Sequence, residues 1–202
     1  MRQLVSILFL ILLVSSCQNK EDQANTLIRK HLIEILHNVD SYTPIESNLS
    51  KAYESALNDS LSREKAMNIV KIREAYQLGM SVFQKQMEEV GLLSSGQQIQ
   101  AYWTNSIQKY PEIVETHNKI DNLSALLDQE ISILRSIHLN KKKQIGYSIY
   151  HKFRYRDSNG NPAVGMYYYL FDNKLEKILC VIDMNDENNK RMIDVLLQFE
   201  PE

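Results

Sequence analysis

A cluster of cationic and aromatic residues in the last third of the chain is the first candidate for ligand chemistry. His151 and Arg154 lie close together, and Tyr168 is at the centre of the aromatic run Tyr167–Tyr169. Because an arginine fork pairs with acidic groups and aromatic rings offer flat apolar surfaces, these residues are candidates for binding an anion or a glycan. The alternative is a half-buried histidine beside a solvated basic face, since alternation along a strand sends His151 and Arg154 to opposite faces. We favour this second interpretation.

Metal-binding and catalytic motifs are sparse. Glu34 and His37 have the spacing of carboxylate-bridged metal sites on helices, but such sites require a second pair of this kind, which the sequence lacks. None of the five histidines has another at the spacing of the zinc motif HExxH, and there is no GxSxG nucleophile elbow. We therefore predict no metal, no cofactor and no catalytic residue, and an enzyme would have to assemble its site from dispersed residues.

Ser60 is a candidate site of modification. It is the central residue of Asp59–Leu61, which matches a three-residue pattern that Bacteroidota use for O-linked glycosylation of exported proteins. The alternative is the first turn of a helix, where Asp and Ser side chains accept hydrogen bonds from free backbone N–H groups.

The N terminus has the organisation of a secretory signal. A basic residue, Arg2, precedes the apolar stretch Leu4–Val14, which only Ser6 interrupts. About 20 apolar residues are needed to span a bilayer as a helix, so this stretch is too short for a membrane span. Residues 1–16 are therefore predicted to be a signal peptide that is removed on export.

The segment Val14–Cys17 resembles the lipobox of bacterial lipoproteins, in which an aliphatic residue and two small residues precede a cysteine. The resemblance implies that Cys17 is lipidated and becomes the first residue of a protein held to a membrane. Residues 17–24 are mostly polar and are predicted to form the tether. Within them, Lys20–Asp22 looks like the surface-export signal of Bacteroidota lipoproteins. We predict an outer-membrane location, with the cell surface and the periplasmic face both open.

The composition of the chain argues against nucleic acid as a partner and against a disulfide as a source of stability. The 202 residues carry a net charge of −2, so the chain lacks the overall positive charge that favours binding to nucleic acid. Lipidation of Cys17 leaves Cys180 as the one remaining cysteine, which rules out an intramolecular disulfide. Cys180 lies in an apolar run and is predicted to be a buried, unreactive thiol.

The apolar pattern before residue 140 has the period of helices. We predict a first helix over Asn25–Val39 and a second over Ser62–Val90. A returning helical segment follows, which Pro111 starts or kinks. Apolar positions that alternate by three and four along the second helix are typical of coiled-coil packing. Residues 25–140 are therefore expected to form an N-terminal helical hairpin or bundle.

From Gln144 the apolar period changes to two, which is typical of strands. Residues 144–183 are expected to form an antiparallel meander of three strands, with turns at Asp157–Pro162 and Asp172–Lys174. The segment 187–199 fits either a short helix or a closing strand, and the helix is favoured. The predicted fold class is α+β in one domain over residues 25–202.

Four short motifs resemble a group of uncharacterised small Bacteroidota lipoproteins. They are Asn38–Pro44, Ile145–Tyr147, His151–Arg154 and Tyr169–Asp172. The group has no established activity, so the resemblance implies lineage and location. We expect a non-catalytic envelope lipoprotein that presents a surface to another protein or an external ligand. The alternative is an envelope or extracellular hydrolase, which a pocket with converging His, Asp, Glu or Arg side chains would favour.

Overall fold

The structure, a computed structural model, describes residues 20–92 and 107–199. This part of the chain contains four α-helices and four strands in one antiparallel sheet, so the predicted α+β class is confirmed. No helix within it is both long and apolar enough to cross a membrane. The predicted signal peptide and Cys17 lie outside the described residues.

The chain divides into two units by its internal contacts. One unit combines Met1–Asp59 with Leu139–Lys190 and holds the sheet, and the other combines Ser60–His138 with Arg191–Glu202 and holds two long helices. That both belong to the single domain expected over 25–202 stays a prediction.

The sheet has the strand order β1-β2-β3-β4, and each neighbouring pair is antiparallel. The strands are β1 (Thr43–Tyr53), β2 (Gln144–Arg156), β3 (Pro162–Phe171) and β4 (Ile178–Asp183). The predicted turn after β2 forms, and Asp157 Oδ1 accepts hydrogen bonds from the backbone N–H groups of Asn159 and Asn161 at 2.9 and 2.8 Å. The three strands of the predicted meander are therefore present.

Strand β1 corrects the prediction that residues 25–140 are helical. It lies inside that segment and adds a fourth strand at the edge of the sheet beside β2. Only Ala52 of its eleven residues is fully buried. Because an edge strand with one small buried residue lacks a clear two-residue apolar period, its sequence gave no strand signal.

The first helix, α1, spans residues 20–35 and packs on one face of the sheet. It contributes Ala24, Ile28 and Leu32 to a core cluster with Ile149, Phe153, Tyr169, Phe171 and Leu175. The helix therefore includes residues 20–24 of the predicted tether, and Ala24 is wholly buried there. It ends before the predicted Val39, where the chain turns through a short 3-10 helix, Val39–Ser41.

The second unit contains α2 (Ser60–Glu89) and α3 (Pro111–Ser136). They pack antiparallel, since contacts join Lys65 to Glu130 near one end and Phe83 to His117 near the other. Their shared core comprises Phe83, Met87, Ile107, Ile113 and Ile120. The segment predicted to lead back between them lies partly outside the described residues. The final helix, α4 (Glu187–Phe199), confirms the helix favoured for 187–199.

Candidate functional site

The inner face of the sheet, which α1 covers, holds His151. Its side chain is 1% exposed, and its ring stacks on that of Phe153 at a centroid distance of 5.4 Å. Nε2 lies 2.9 Å from the hydroxyl oxygen of Tyr42. Burial lowers the pKa of His151 to about 4, so the imidazole is neutral at physiological pH. His151 therefore has no access to a ligand in solution.

A second histidine pairs with the aromatic residues of this inner face. Nδ1 of His31 lies 3.0 Å from the Tyr169 hydroxyl, and its ring meets Tyr169 edge to face. Burial lowers the pKa of His31, and burial together with Asp183 raises the pKa of Tyr167 to about 12. A lowered histidine pKa and a raised tyrosine pKa both favour the neutral side chain. The inner cluster is therefore a hydrogen-bonded aromatic core rather than a reactive site.

The outer face of the sheet carries the exposed residues of β2. Tyr150 is 53% exposed, and Lys152 and Arg154 follow it on the same face because side chains alternate along a strand. The predicted division of His151 and Arg154 between opposite faces is therefore confirmed. One strand presents an aromatic ring and two cations in line, over a span of about 14 Å at about 3.4 Å per residue.

The Tyr150 ring contacts a second tyrosine beside it on the neighbouring strand. Tyr168, on β3, is the register partner of Tyr150, and the two ring centroids are 4.8 Å apart. Tyr168 is 4% exposed, and its hydroxyl donates a hydrogen bond to Oδ1 of Asn58 at 2.5 Å. Asn58 in turn donates to the backbone oxygen of Tyr53 at 2.8 Å. A chain of packed and hydrogen-bonded groups thus fixes an exposed aromatic ring.

Neighbouring strands complete the surface around this ring. On β1, Asn48 is the register partner of Tyr150, and Glu46 is that of Lys152. On β3, exposed Val164 is the register partner of Arg154. We define the Tyr150 surface as Tyr150, Lys152, Arg154 and these three residues. Neither Lys152 nor Arg154 forms a salt bridge with a described residue, so both cations are available to an acidic group.

The structure separates the three residues predicted to bind a ligand. Arg154 belongs to the Tyr150 surface, Tyr168 is buried beside Tyr150 on the same face, and His151 lies on the other face. Glu46 and Asn48 could not be placed from the sequence, because the edge strand β1 that carries them has no clear apolar period. The alternation along β2 identified the correct face.

A polar groove of about 340 Å³ lies in the second unit. It is lined by Val70, Arg73, Glu74, Gln77, Arg191, Asp194, Val195 and Gln198. Arg191 forms a salt bridge with Glu74 across it. This lining contains Arg, Asp and Glu, but no histidine and no Ser, Thr or Cys nucleophile. The groove therefore contains paired charges but lacks the nucleophile and the histidine base that many hydrolases use.

The other candidate residues belong to different elements of the chain. Ser60 is exposed and is the first residue of α2, so it lies in the first turn of a helix, as the alternative interpretation of Asp59–Leu61 predicted. Its glycosylation stays a prediction. Glu34 and His37 are both exposed, and His37 follows the end of α1. Cys180 on β4 is half-buried rather than fully buried. Across residues 20–92 and 107–199, no group of three His, Cys, Asp or Glu side chains is arranged to hold a metal ion.

Comparisons of this chain with protein-family models, with curated proteins and with solved structures found no match.

Proposed function

We propose that this chain is a lipid-anchored binding protein of the bacterial cell envelope, held in the outer membrane through Cys17. The apolar stretch Leu4–Val14 and the lipobox-like Val14–Cys17 support export and lipidation. A lipid with two or more acyl chains gives a stable anchor, since each buried methylene contributes about 0.8 kcal/mol.

The ligand we propose is an acidic saccharide, bound at the Tyr150 surface. The observation that carries this proposal is the exposed Tyr150 ring in contact with Tyr168. Beside it are Lys152 and Arg154, which form no salt bridge with a described residue. An aromatic ring held rigid before binding loses little conformational entropy when a ligand stacks on it.

Each residue of this surface would make a different type of contact with the saccharide. The Tyr150 ring offers an apolar platform to the flat face of a sugar, and its tilted contact with the Tyr168 ring limits how it can reorient. Arg154 can bind a carboxylate with two parallel N–H donors, whereas Lys152 acts as a point charge. Asn48 and Glu46 can exchange hydrogen bonds with hydroxyl groups. None of these steps requires bond cleavage, so the proposed role is non-catalytic.

The anchor is tested by metabolic labelling with a fatty-acid analogue, comparing the native chain with Cys17→Ala. We expect label in the native protein and none in the variant. Protease treatment of intact cells then separates the two locations: removal of the native protein places it on the surface, and protection places it inside. Absence of label from the native protein would contradict the proposed anchor.

The ligand is tested by presenting the native lipidated protein in detergent to an array of acidic and neutral oligosaccharides. Binding to acidic members should fall about tenfold in Tyr150→Ala and in Arg154→Ala, since each loses a contact of roughly 1.4 kcal/mol. The matched controls are Tyr53→Ala and Arg29→Ala, which remove an exposed tyrosine and an exposed arginine outside this surface. Equal binding by all four variants would exclude the Tyr150 surface.

A further inference from the structure

Lysines collect at one end of the sheet. They come from the start of α1, the end of β1, the residues before β2 and the turn between β3 and β4: Lys20, Lys51, Lys141, Lys142, Lys143, Lys174 and Lys177. The register brings these segments together, since Lys51 is the partner of Tyr147 and Tyr147 is the partner of Phe171, the last residue of β3. We call this set the lysine end of the sheet.

The backbone at this end is closely packed, which keeps the segments together. Gly146 lies so near the end of β3 that a Cβ there would be 1.9 Å from the backbone oxygen of Phe171. The turn that follows is fixed by Asp172, whose Oδ1 accepts hydrogen bonds from the backbone N–H groups of Glu176 and Lys177 at 2.8 and 3.1 Å. The lysines are thus carried on ordered backbone.

The carboxylates at this end are fewer than the lysines, and two of them are engaged locally. Glu54 forms a salt bridge with Lys143 at 2.5 Å, and Asp172 is held by the backbone of its turn. The remaining acids at this end are Glu21, Asp22 and Glu176. With the Lys143–Glu54 pair set aside, six lysines and four carboxylates remain at this end, so its net charge is positive.

The lysine end also holds Lys20, the first described residue of α1. The Lys20 ammonium donates a hydrogen bond to the Tyr147 hydroxyl at 2.6 Å and lies 4.9 Å from the centre of its ring. Cys17 stands three residues before Lys20, and three residues reach at most about 11 Å when fully extended. A lipid on Cys17 would therefore attach within about 11 Å of the lysine end.

We propose that the lysine end lies against the phosphate-bearing anionic headgroups of the membrane that holds the anchor. This inference rests on the proposed lipidation of Cys17. Anionic headgroups attract lysines within a Debye length, about 8 Å at physiological ionic strength, and the short link keeps the lysines near that range. Because β2 runs away from this end towards Arg156, the Tyr150 surface would extend away from the membrane, where an external ligand can reach it.

The test uses native lipidated protein reconstituted into vesicles of phosphatidylcholine alone or mixed with phosphatidylglycerol. Trypsin cleavage after Lys142, at the lysine end, is measured by mass spectrometry relative to cleavage after Arg156, at the opposite end of β2. The test variant, Lys51→Glu with Lys174→Glu, reverses two charges of the lysine end and leaves the Lys142 cleavage site intact. The control, Lys30→Glu with Lys190→Glu, makes the same change in charge at exposed positions elsewhere.

We expect cleavage after Lys142 to be about fivefold slower in the vesicles with phosphatidylglycerol, in the native protein and in the control. The test variant should lose this difference while its cleavage on neutral vesicles matches the native protein, which shows that it is folded. Equal cleavage on both vesicle types, or equal protection on both, would overturn the role of the headgroup charge. Native protein that fails to float with either vesicle type would instead contradict the proposed anchor.

Discussion

The Tyr42 hydroxyl oxygen lies 2.9 Å from Nε2 of His151, and it is the one hydrogen-bond contact of this imidazole with the described part of the chain. Nδ1 of His151 is buried and has no hydrogen-bond partner among the described residues. A neutral imidazole fits this arrangement, because a second proton on the ring would place a charge in an aromatic environment that cannot solvate it. The interaction of Tyr42 with His151 therefore links the protonation state of one histidine to folding.

Acidification should destabilise the protein through His151. The pKa of this group is about 4 in the folded protein and 6.5 ordinarily, so below pH 6.5 the unfolded chain binds more protons than the folded one. The free energy of unfolding should therefore fall by about 2 to 3 kcal/mol as the pH drops from 6.5 to 4, and this contribution should fade out as the pH rises above 6.5. Urea unfolding across this range measures it.

The matched variants for this prediction are His151→Gln, which removes the titrating group, and His138→Gln, at an exposed histidine. His151→Gln should show a shallower fall in stability between pH 6.5 and 4. The remaining slope includes His31, whose pKa burial also lowers. If His151→Gln and His138→Gln have the same pH dependence, His151 does not titrate as described.

The inner core should require glycine at position 165, because the Phe153 ring occupies the space that a Cβ would need. A Cβ there would approach ring atoms of Phe153 to 2.3, 2.7 and 2.8 Å, and Phe153 is fully buried. Gly165→Ala must therefore displace the ring, and we expect it to lower the free energy of unfolding by about 1 to 3 kcal/mol. Thermal and urea unfolding measure the change.

Gly79→Ala is the control for this glycine. Its Cβ would meet the Ile120 side chain, at 3.1 Å from Cγ1 and 3.8 Å from Cδ1, and alanine is favoured over glycine in a helix by about 1 kcal/mol. We expect a change close to zero. A Gly165→Ala protein as stable as Gly79→Ala would show that Phe153 can move aside at no cost.

Local sequence signals predicted much of the fold. Pro111 starts α3, and Asp157 forms the turn after β2, because both act on the backbone within a few residues. Alternation along β2 separated His151 from Arg154 for the same reason. Strand β1 was missed because an edge strand buries little, and α1 ends early although Val39 extends its apolar spacing.

The support of the candidate site could not be predicted, because it depends on contacts between distant segments. Asn58 and Tyr168 are 110 residues apart in sequence, and nothing near either residue specifies the other. Burial of Tyr168 and exposure of Tyr150 likewise follow from the packing on the outer face rather than from residue type. The sequence identified the aromatic and cationic residues, and the fold decided which of them face solvent.

Glu130 should stabilise the pairing of α2 with α3. Its carboxylate lies 3.3 Å from the Lys65 ammonium and accepts a hydrogen bond from Asn68 at 3.4 Å, and the Lys65 and Glu130 side chains are largely buried. Glu130→Ala leaves a cation and an amide without this partner, so we expect a loss of about 1 to 2 kcal/mol in urea unfolding. Glu115→Ala breaks a solvent-exposed pair with Lys119 on the same helix and should leave the unfolding midpoint unchanged. Similar effects from the two variants would contradict a specific role for Glu130.

Tyr168 should position Tyr150 through its ring and stabilise the fold through its hydroxyl. Tyr168→Phe keeps the ring but leaves Asn58 Oδ1 without its donor, so we expect a stability loss of about 1 to 2 kcal/mol and little change in saccharide binding. Tyr168→Leu removes the ring that contacts Tyr150. The aromatic pair contributes roughly 0.5 to 1.5 kcal/mol, so binding should weaken up to about tenfold. Tyr53→Leu, at an exposed tyrosine outside the pair, is the control. If Tyr168→Leu binds as tightly as Tyr168→Phe, the orientation of Tyr150 is set by something other than the Tyr168 ring.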